Sequence, residues 1–167
     1  LKGVGFLSRE DAINYGVTGP SGRGSGWACD VRKRSPYAAY DKVQFDEVLY
    51  NEGDSYARYM VRMKEIEQSL HILEQLVDNI PEGDYLAKTK PIIKVPEGRY
   101  FKEVEAARGA FGIYLESRGD KFPYRLKVNS PGFNLVGAVD HMTRGSKIAD
   151  LIAIGGSLDY VVPDIDR

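Results

Sequence analysis

The sequence is poor in the residues that build metal centres and covalent staples. Cys29 is the only cysteine in 167 residues. That excludes an internal disulfide, and any cluster or zinc site made from several thiolates of this chain alone. His71 and His141 are the only two histidines, and no local signature places either beside a serine or cysteine nucleophile. Long apolar runs are missing too: nothing approaches the roughly 20 residues of a membrane span, and the longest run near the end is "LIAIGG". An excess of either charge is also lacking. Twenty-three basic and 24 acidic side chains leave a formal net charge of −1, which argues against nucleic-acid binding by bulk charge. No secretory signal opens the sequence, and it starts at Leu1 rather than Met, as expected of a piece trimmed from something longer.

What is present is ordinary globular material. Hydrophobic residues make up 43% and charged residues 28%, enough for one domain with a real core. Ser8, with Glu10 and Asp11 behind it, reads as the cap of a short first helix. The stretch "GVTGPSGRGSGWACD", residues 16–30, is so dense in glycine that a loop with unusual dihedrals or a close approach is expected, without regular structure. It lacks the Lys-Ser/Thr pair of a phosphate loop. Residues 31–52 read as extended backbone with one short element.

The clearest element is a helix capped by Asp54 and ended by Pro81. Its apolar residues Tyr56, Tyr59, Met60, Met63, Ile66, Leu70, Leu73, Leu76, Val77 and Ile80 fall in steps of three and four, predicting one buried face on a rod of roughly 39 Å. The near-heptad spacing suits a bundle, so its partners are expected outside this chain. Residues 82–100 read as a Lys- and Pro-rich connector. The period then changes to two. Phe111, Ile113 and Leu115 pair in pattern with Tyr124, Leu126 and Val128 across a turn at Arg118-Gly119-Asp120, and "FKEVEAA" can add a third strand. Such alternation predicts one face on a core and one polar face. "NLVGAVDHMTRG" predicts a short helix ending at Gly145. "KIADLIAIGG" predicts a second, apolar on nearly all sides and therefore buried, with the last residues following it into the interior. The fold class is α+β.

Each candidate for chemistry has a plain alternative. Arg23, between glycines, is either a surface-loop arginine or one pressed against a partner or cofactor. Cys29 reads as inert and buried. His71 and His141 read as helix-surface or packing residues, and Arg62, Glu65 and Ser69 as a solvated helix face. Asp159, Asp164, Asp166 and Arg167 cluster beside apolar residues. Buried charges must be paired or functional, and salt bridging to a neighbouring subunit or domain is the plain reading.

Five stretches in order carry a resemblance: "GVTGPSGRGSGWACDVRK", "GDSYARYMVRMKEIEQSLHILEQ", "GAFGIYLESRGDKFPYRLKVNSPGF", "HMTRGSKIADLIAIGGSLD" and the ending "DIDR". Together they resemble the C-terminal part of the large, hydrogenase-derived subunit of respiratory complex I, the D-type subunit of NADH-quinone oxidoreductase, over essentially the whole of residues 1–167. The resemblance implies a fragment of that subunit with its N-terminal half absent, carrying a long helix of a hydrogenase-like bundle, a small antiparallel sheet and buried C-terminal helices. The C-terminal cysteine pair of the nickel–iron relatives has no counterpart in "VVPDIDR", so no metal on this chain and no catalytic residue of its own are implied.

The implied role is to shape a quinone cavity beside the terminal iron–sulfur cluster of a B-type partner subunit. NAD and the clusters would be held by other subunits, membrane-arm subunits would lie beneath, and the complex would couple electron transfer from NADH to quinone to ion translocation. A peripheral place on the cytoplasmic face of a bacterial inner membrane follows from the same resemblance. By position, Asp159, Val161 and Arg167 match residues linked to quinone and inhibitor binding, and Arg23, Gly24 and Gly26 belong to a loop that would face the partner or its cluster. The family's head-group histidine and tyrosine lie upstream, so His71 and His141 do not replace them. The sequence departs from the family pattern at Ser21-Gly22, at Cys29 and at Pro163-Asp164. Two rival roles are a purely structural scaffold and a subunit of a related ferredoxin- or hydrogen-linked membrane complex.

Overall fold

The computed structural model describes residues 1–166; the expectation placed on Arg167 lies outside them. Eight helices and a three-stranded antiparallel sheet among the described residues confirm the α+β class. Helix α1 (Arg9–Tyr15) starts as its sequence dictates, with the Ser8 side chain accepting from Asp11 N and Gly16 closing the end at φ 67°. The glycine-rich stretch holds a helix after all. Helix α2 (Gly19–Arg23) is buried along its whole length. Pro20 in its first turn supplies a pre-set φ, and Gly19 enters at φ +68°, so glycine density here marks close packing rather than a free loop. Helix α3 (Val31–Arg34), capped by Asp30, is the one short element expected in residues 31–52.

Helix α4 (Ser55–Val77) has 23 residues, about 34 Å at the α-helical rise. Asp54 caps it by accepting from Ala57 N, but it stops at Asp78, ahead of Pro81. Its orientation reverses expectation. The side that packs on the rest of the chain carries Ser55, Ala57, Arg58, Val61 and Ile72. The apolar stripe points outward, with Leu70 and Leu73 each 55% exposed.

Strands β1 (Gly98–Ala106), β2 (Gly109–Ser117) and β3 (Arg125–Asn129) run in order. Leu115 faces Tyr100 on one side and Leu126 on the other, so the hairpin and the third strand form as the period-two pattern predicts. Strand β1 takes Gly98–Tyr100 out of the expected connector. Here too the faces are exchanged. Glu103 and Glu105 share a face, and both turn to the helices, Glu103 onto Arg34 at 2.7 Å and Glu105 onto Arg23 at 2.7 Å. The apolar face, with Tyr100, Val104, Ile113 and Leu126, is exposed.

The expected short helix of the last third is two, α5 (Pro131–Gly137) and α6 (Val139–Thr143), followed by α7 (Ile148–Leu158) and α8 (Val162–Ile165). Leu7, Ala12, Val17, Leu135, Ala138, Met142, Ile154 and Leu158 form the core. Helix α7 enters it only through Ile154 and Leu158, at i and i+4, while Ile148 is 91% exposed. Helix α8 has no fully buried residue. A polar contact helps dock it, Asp164 Oδ2 accepting from Gly132 N at 2.8 Å, while Val162 stays outside. No helix among the described residues is long and apolar enough to cross a membrane.

Candidate functional site

Glycine at two positions lets two turns touch. A Cβ on Gly19 would lie 2.5 Å from the Cα of Gly109, and one on Gly109 would lie 2.5 Å from Thr18 Oγ1. Only hydrogen fits in either place. The same Thr18 hydroxyl accepts from Ala110 N at 2.9 Å, locking the β1–β2 turn to the start of α2. At the other end of α2, Gly24 lies under α4, where a Cβ would meet Arg58 Cγ at 3.0 Å. Gly26 turns at φ +77° beside Asn51.

Arg23 leaves this segment inward and is 1% exposed. Its Nε donates to Glu65 Oε1 at 2.6 Å and its Nη1 to Glu105 Oε1 at 2.7 Å. Glu105 Oε2 also accepts from Val31 N at 3.0 Å. One guanidinium therefore ties α2 to α4 and to the sheet, and Glu65 is not the solvated residue its helix position implies. Burial opposes the charge on Arg23, but Glu105 and Glu65 outweigh it and hold the guanidinium pKa above its ordinary value. Beside it Cys29 is buried, and burial pushes its thiol up to about 12. At neutral pH it is a protonated packing group rather than a nucleophile.

A second set of arginines converges on the C-terminal end of α7. Arg58 Nε donates to Ser157 Oγ at 2.9 Å, and its other nitrogens reach Gly53 O, Gly5 O and Ser55 Oγ. Its hydrogen-bond acceptors are thus all neutral. Burial first, and then the charge of Arg62, lower its pKa to about 10. Arg62 spans from Arg58 O at 3.1 Å to Leu158 O at 3.5 Å. Arg108 donates from Nε to Asp159 O at 2.5 Å and from Nη2 to Asp159 Oδ1 at 3.4 Å. Cations at a helix C-terminus meet the negative end of its dipole. Asp159 itself closes α7 in the left-handed region at φ 56°, ψ 36°, a place where aspartate is tolerated better than most residues.

Of the residues expected from sequence, Asp159 and Val161 are brought together here. Val161 is partly exposed and is the extended residue just before α8. Arg23, Gly24 and Gly26 belong to the neighbouring segment: Arg23 bonds Glu65, three positions along α4 from Arg62, and Arg62 reaches Leu158 O, the residue before Asp159. Sequence reasoning misses Arg58, Arg62 and Arg108 as neighbours of this corner. The signal is there for two of them: arginines spaced i, i+4 along the flank of α4 beside its apolar stripe. His71 is exposed beside Glu74 at 3.9 Å, and His141 lies 3.3 Å from Asp11. Both are away from Asp159's hydrogen bonds. Among the described residues, no group of three or more His, Cys, Asp or Glu could hold a metal ion.

The arrangement offers a carboxylate with one open side, cations behind it, and an apolar residue two positions on. A comparison with family models decides what this belongs to: the model for the 49 kDa subunit of respiratory-chain NADH dehydrogenase matches residues 1–94 and 87–167. The chain is a member of that 49 kDa subunit family.

Individual members are similar throughout. The chain is 70% identical over 167 residues to a C/D-type NADH-quinone oxidoreductase subunit of Bacteroides fragilis, covering all of this chain and 32% of that protein. It is 68% identical to the C/D-type subunit of Phocaeicola vulgatus, with the same coverage. A D-type subunit of Desulfotalea psychrophila is 54% identical over 168 residues, and the match spans 45% of it. The chain thus spans a third to under a half of the 49 kDa family proteins it matches.

Proposed function

We propose that this chain is the C-terminal part of a subunit of an NADH-quinone oxidoreductase, and that its Asp159–Val161 corner lines the cavity where quinone is reduced. Its neighbour in that reading is a B-type subunit whose terminal iron–sulfur cluster delivers electrons. NAD and the remaining clusters sit in other peripheral-arm subunits, and membrane-arm subunits couple the reaction to ion translocation at the cytoplasmic face of the membrane. The substrate of this corner is the quinone. The chain's own residues bind and orient it, while the electrons come from the partner.

The observation that carries the reading is the corner itself. Asp159 presents an open carboxylate edge beside partly exposed Val161. A quinone head group has polar oxygens on an otherwise apolar ring, so a wall for it needs both kinds of surface within a few ångströms. Arg167 is assigned to the same wall by its place in the sequence.

The test is made in the full-length subunit within the assembled complex. Asp159→Asn removes a charge at nearly constant volume, and Arg167→Glu reverses one. Expected are normal complex content, normal NADH oxidation with an artificial acceptor, and reduced quinone reductase activity or altered inhibitor sensitivity. A scaffold role predicts the opposite split, with less assembled complex but unchanged activity per complex. Wild-type activity and inhibitor response in both variants would remove the site assignment.

A further inference from the structure

The turn between β1 and β2 holds Arg108, and that turn cannot drift. Gly109 is seated against Gly19 with no room for a side chain on either residue, and Thr18 holds Ala110 N. From this fixed point Arg108 reaches 51 positions along the chain to Asp159, bonding both its main-chain oxygen and its carboxylate. A guanidinium is a planar fork, so contact with both atoms fixes the rotation of the residue as well as its position. Asp159 needs such fixing, because it sits in the left-handed region at the joint between α7 and α8. Arg58 and Arg62 secure the two residues before it, Ser157 and Leu158, from inside. Arg108 alone of the three is bonded to Asp159 and also remains in contact with solvent, its side chain 29% exposed.

We propose that Arg108 is the positioning residue of the quinone site: seated by the Gly19–Gly109 contact, it turns the Asp159 carboxylate toward the bound head group. The proposal rests on the assignment of Asp159 to that site. It gives the glycine-rich stretch a definite task, which is to aim Arg108. It also separates function from stability. A pair exposed to this degree contributes little to folding, so losing Arg108 should be felt in binding and hardly in assembly.

The experiment uses the full-length subunit in the assembled complex, with Arg108→Gln, Arg108→Lys and Asp159→Asn compared. Quinone reductase activity per assembled complex is measured over a range of a short-tailed benzoquinone and a short-tailed naphthoquinone. Arg108→Gln is expected to raise KM for the preferred quinone about tenfold, the size of one lost charge-assisted hydrogen bond, with kcat within about twofold and complex content unchanged. Arg108→Lys, which keeps the charge but not the fork, should fall between wild type and Gln. If Arg108→Gln impairs assembly, the Lys variant carries the comparison. Unchanged KM in the Arg108 variants, with a raised KM in Asp159→Asn, overturns the proposal and leaves the site assignment standing. An effect of Arg108→Gln with none from Asp159→Asn overturns both, since Arg108 would then act elsewhere. Loss of complex with unchanged KM reduces Arg108 to a structural contact and also overturns the proposal.

Discussion

Arg23 and Glu105 are 82 positions apart in the sequence and meet at 2.7 Å with both side chains almost out of water. The pair joins the glycine-rich segment to the sheet, and each partner has a second bond, Arg23 to Glu65 and Glu105 to Val31 N. Removing Glu105 leaves buried Arg23 with Glu65 as its remaining counter-charge and takes the acceptor from Val31 N; breaking such a buried network typically costs about 3–5 kcal/mol. Glu105→Ala is therefore expected to lower stability by that order in denaturant unfolding. Glu103→Ala is the internal control, because its partner Arg34 is half-exposed and such pairs contribute about 1 kcal/mol or less. Equal losses in the two variants would show that the buried joint is not special.

The outward stripe of α4 gives a second expectation. Tyr56, Tyr59, Met63, Ile66, Leu70, Leu73 and Val77 follow one another by alternate steps of three and four, the spacing of a two-sided helical seam. The isolated chain should self-associate through this stripe. Leu70→Glu with Leu73→Glu should shift light scattering toward a monomer without loss of helical circular dichroism. A wild-type chain that is monodisperse and monomeric at high concentration would count against it.

Elements are easier to read from the sequence than their surroundings. Ser8 and Asp54 announce their helices because a cap is a local hydrogen bond, made with residues three positions on. The strands are legible because Phe111 to Leu115 alternate, and the partner strand repeats the pattern. What alternation cannot reveal is which face is covered. The sheet turns Glu103 and Glu105 inward because arginines of α2 and α3 wait there, and those arginines are 82 and 69 positions away. Helix α2 escapes a sequence reading for a related reason. Glycine disfavours a helix locally, but Gly19 is selected by the backbone of Gly109, a contact no local pattern contains. The Asp159 corner is legible in its carboxylate and not in its arginines, which come from α4 and from a strand turn.

Acid should expose the role of Asp30. Its carboxylate caps α3 by accepting from Arg32 N and is gripped by the Arg32 guanidinium at 2.6 Å. Burial alone would raise its pKa, but the bonds from Arg32 and the charge of Arg23 outweigh burial and hold it below the ordinary carboxylate value. A depressed folded pKa means that the stabilisation is complete above the unfolded value of about 3.9 and is lost as pH falls through the lower folded value. Asp30→Asn should thus destabilise most near neutral pH, and the two proteins should converge in strong acid. Denaturant midpoints measured from neutral to strongly acidic pH would show this. A penalty that does not vary with pH would mean that the side chain acts by shape alone.

The exchanged faces of the sheet bear on how this sequence can vary. In a sheet packed on its own core, apolar positions are the guarded ones and charged positions drift. Here, within the chain, Glu103 and Glu105 occupy the packed face, while Val104 and Ile113 lie on the face turned to solvent. A library of substitutions scored on the isolated chain should tolerate change at the apolar positions and punish it at the acidic ones. Scored on growth that depends on the complete complex, the same library should punish both. The positions at which the two scores part company would mark out, residue by residue, the surface that neighbouring protein covers.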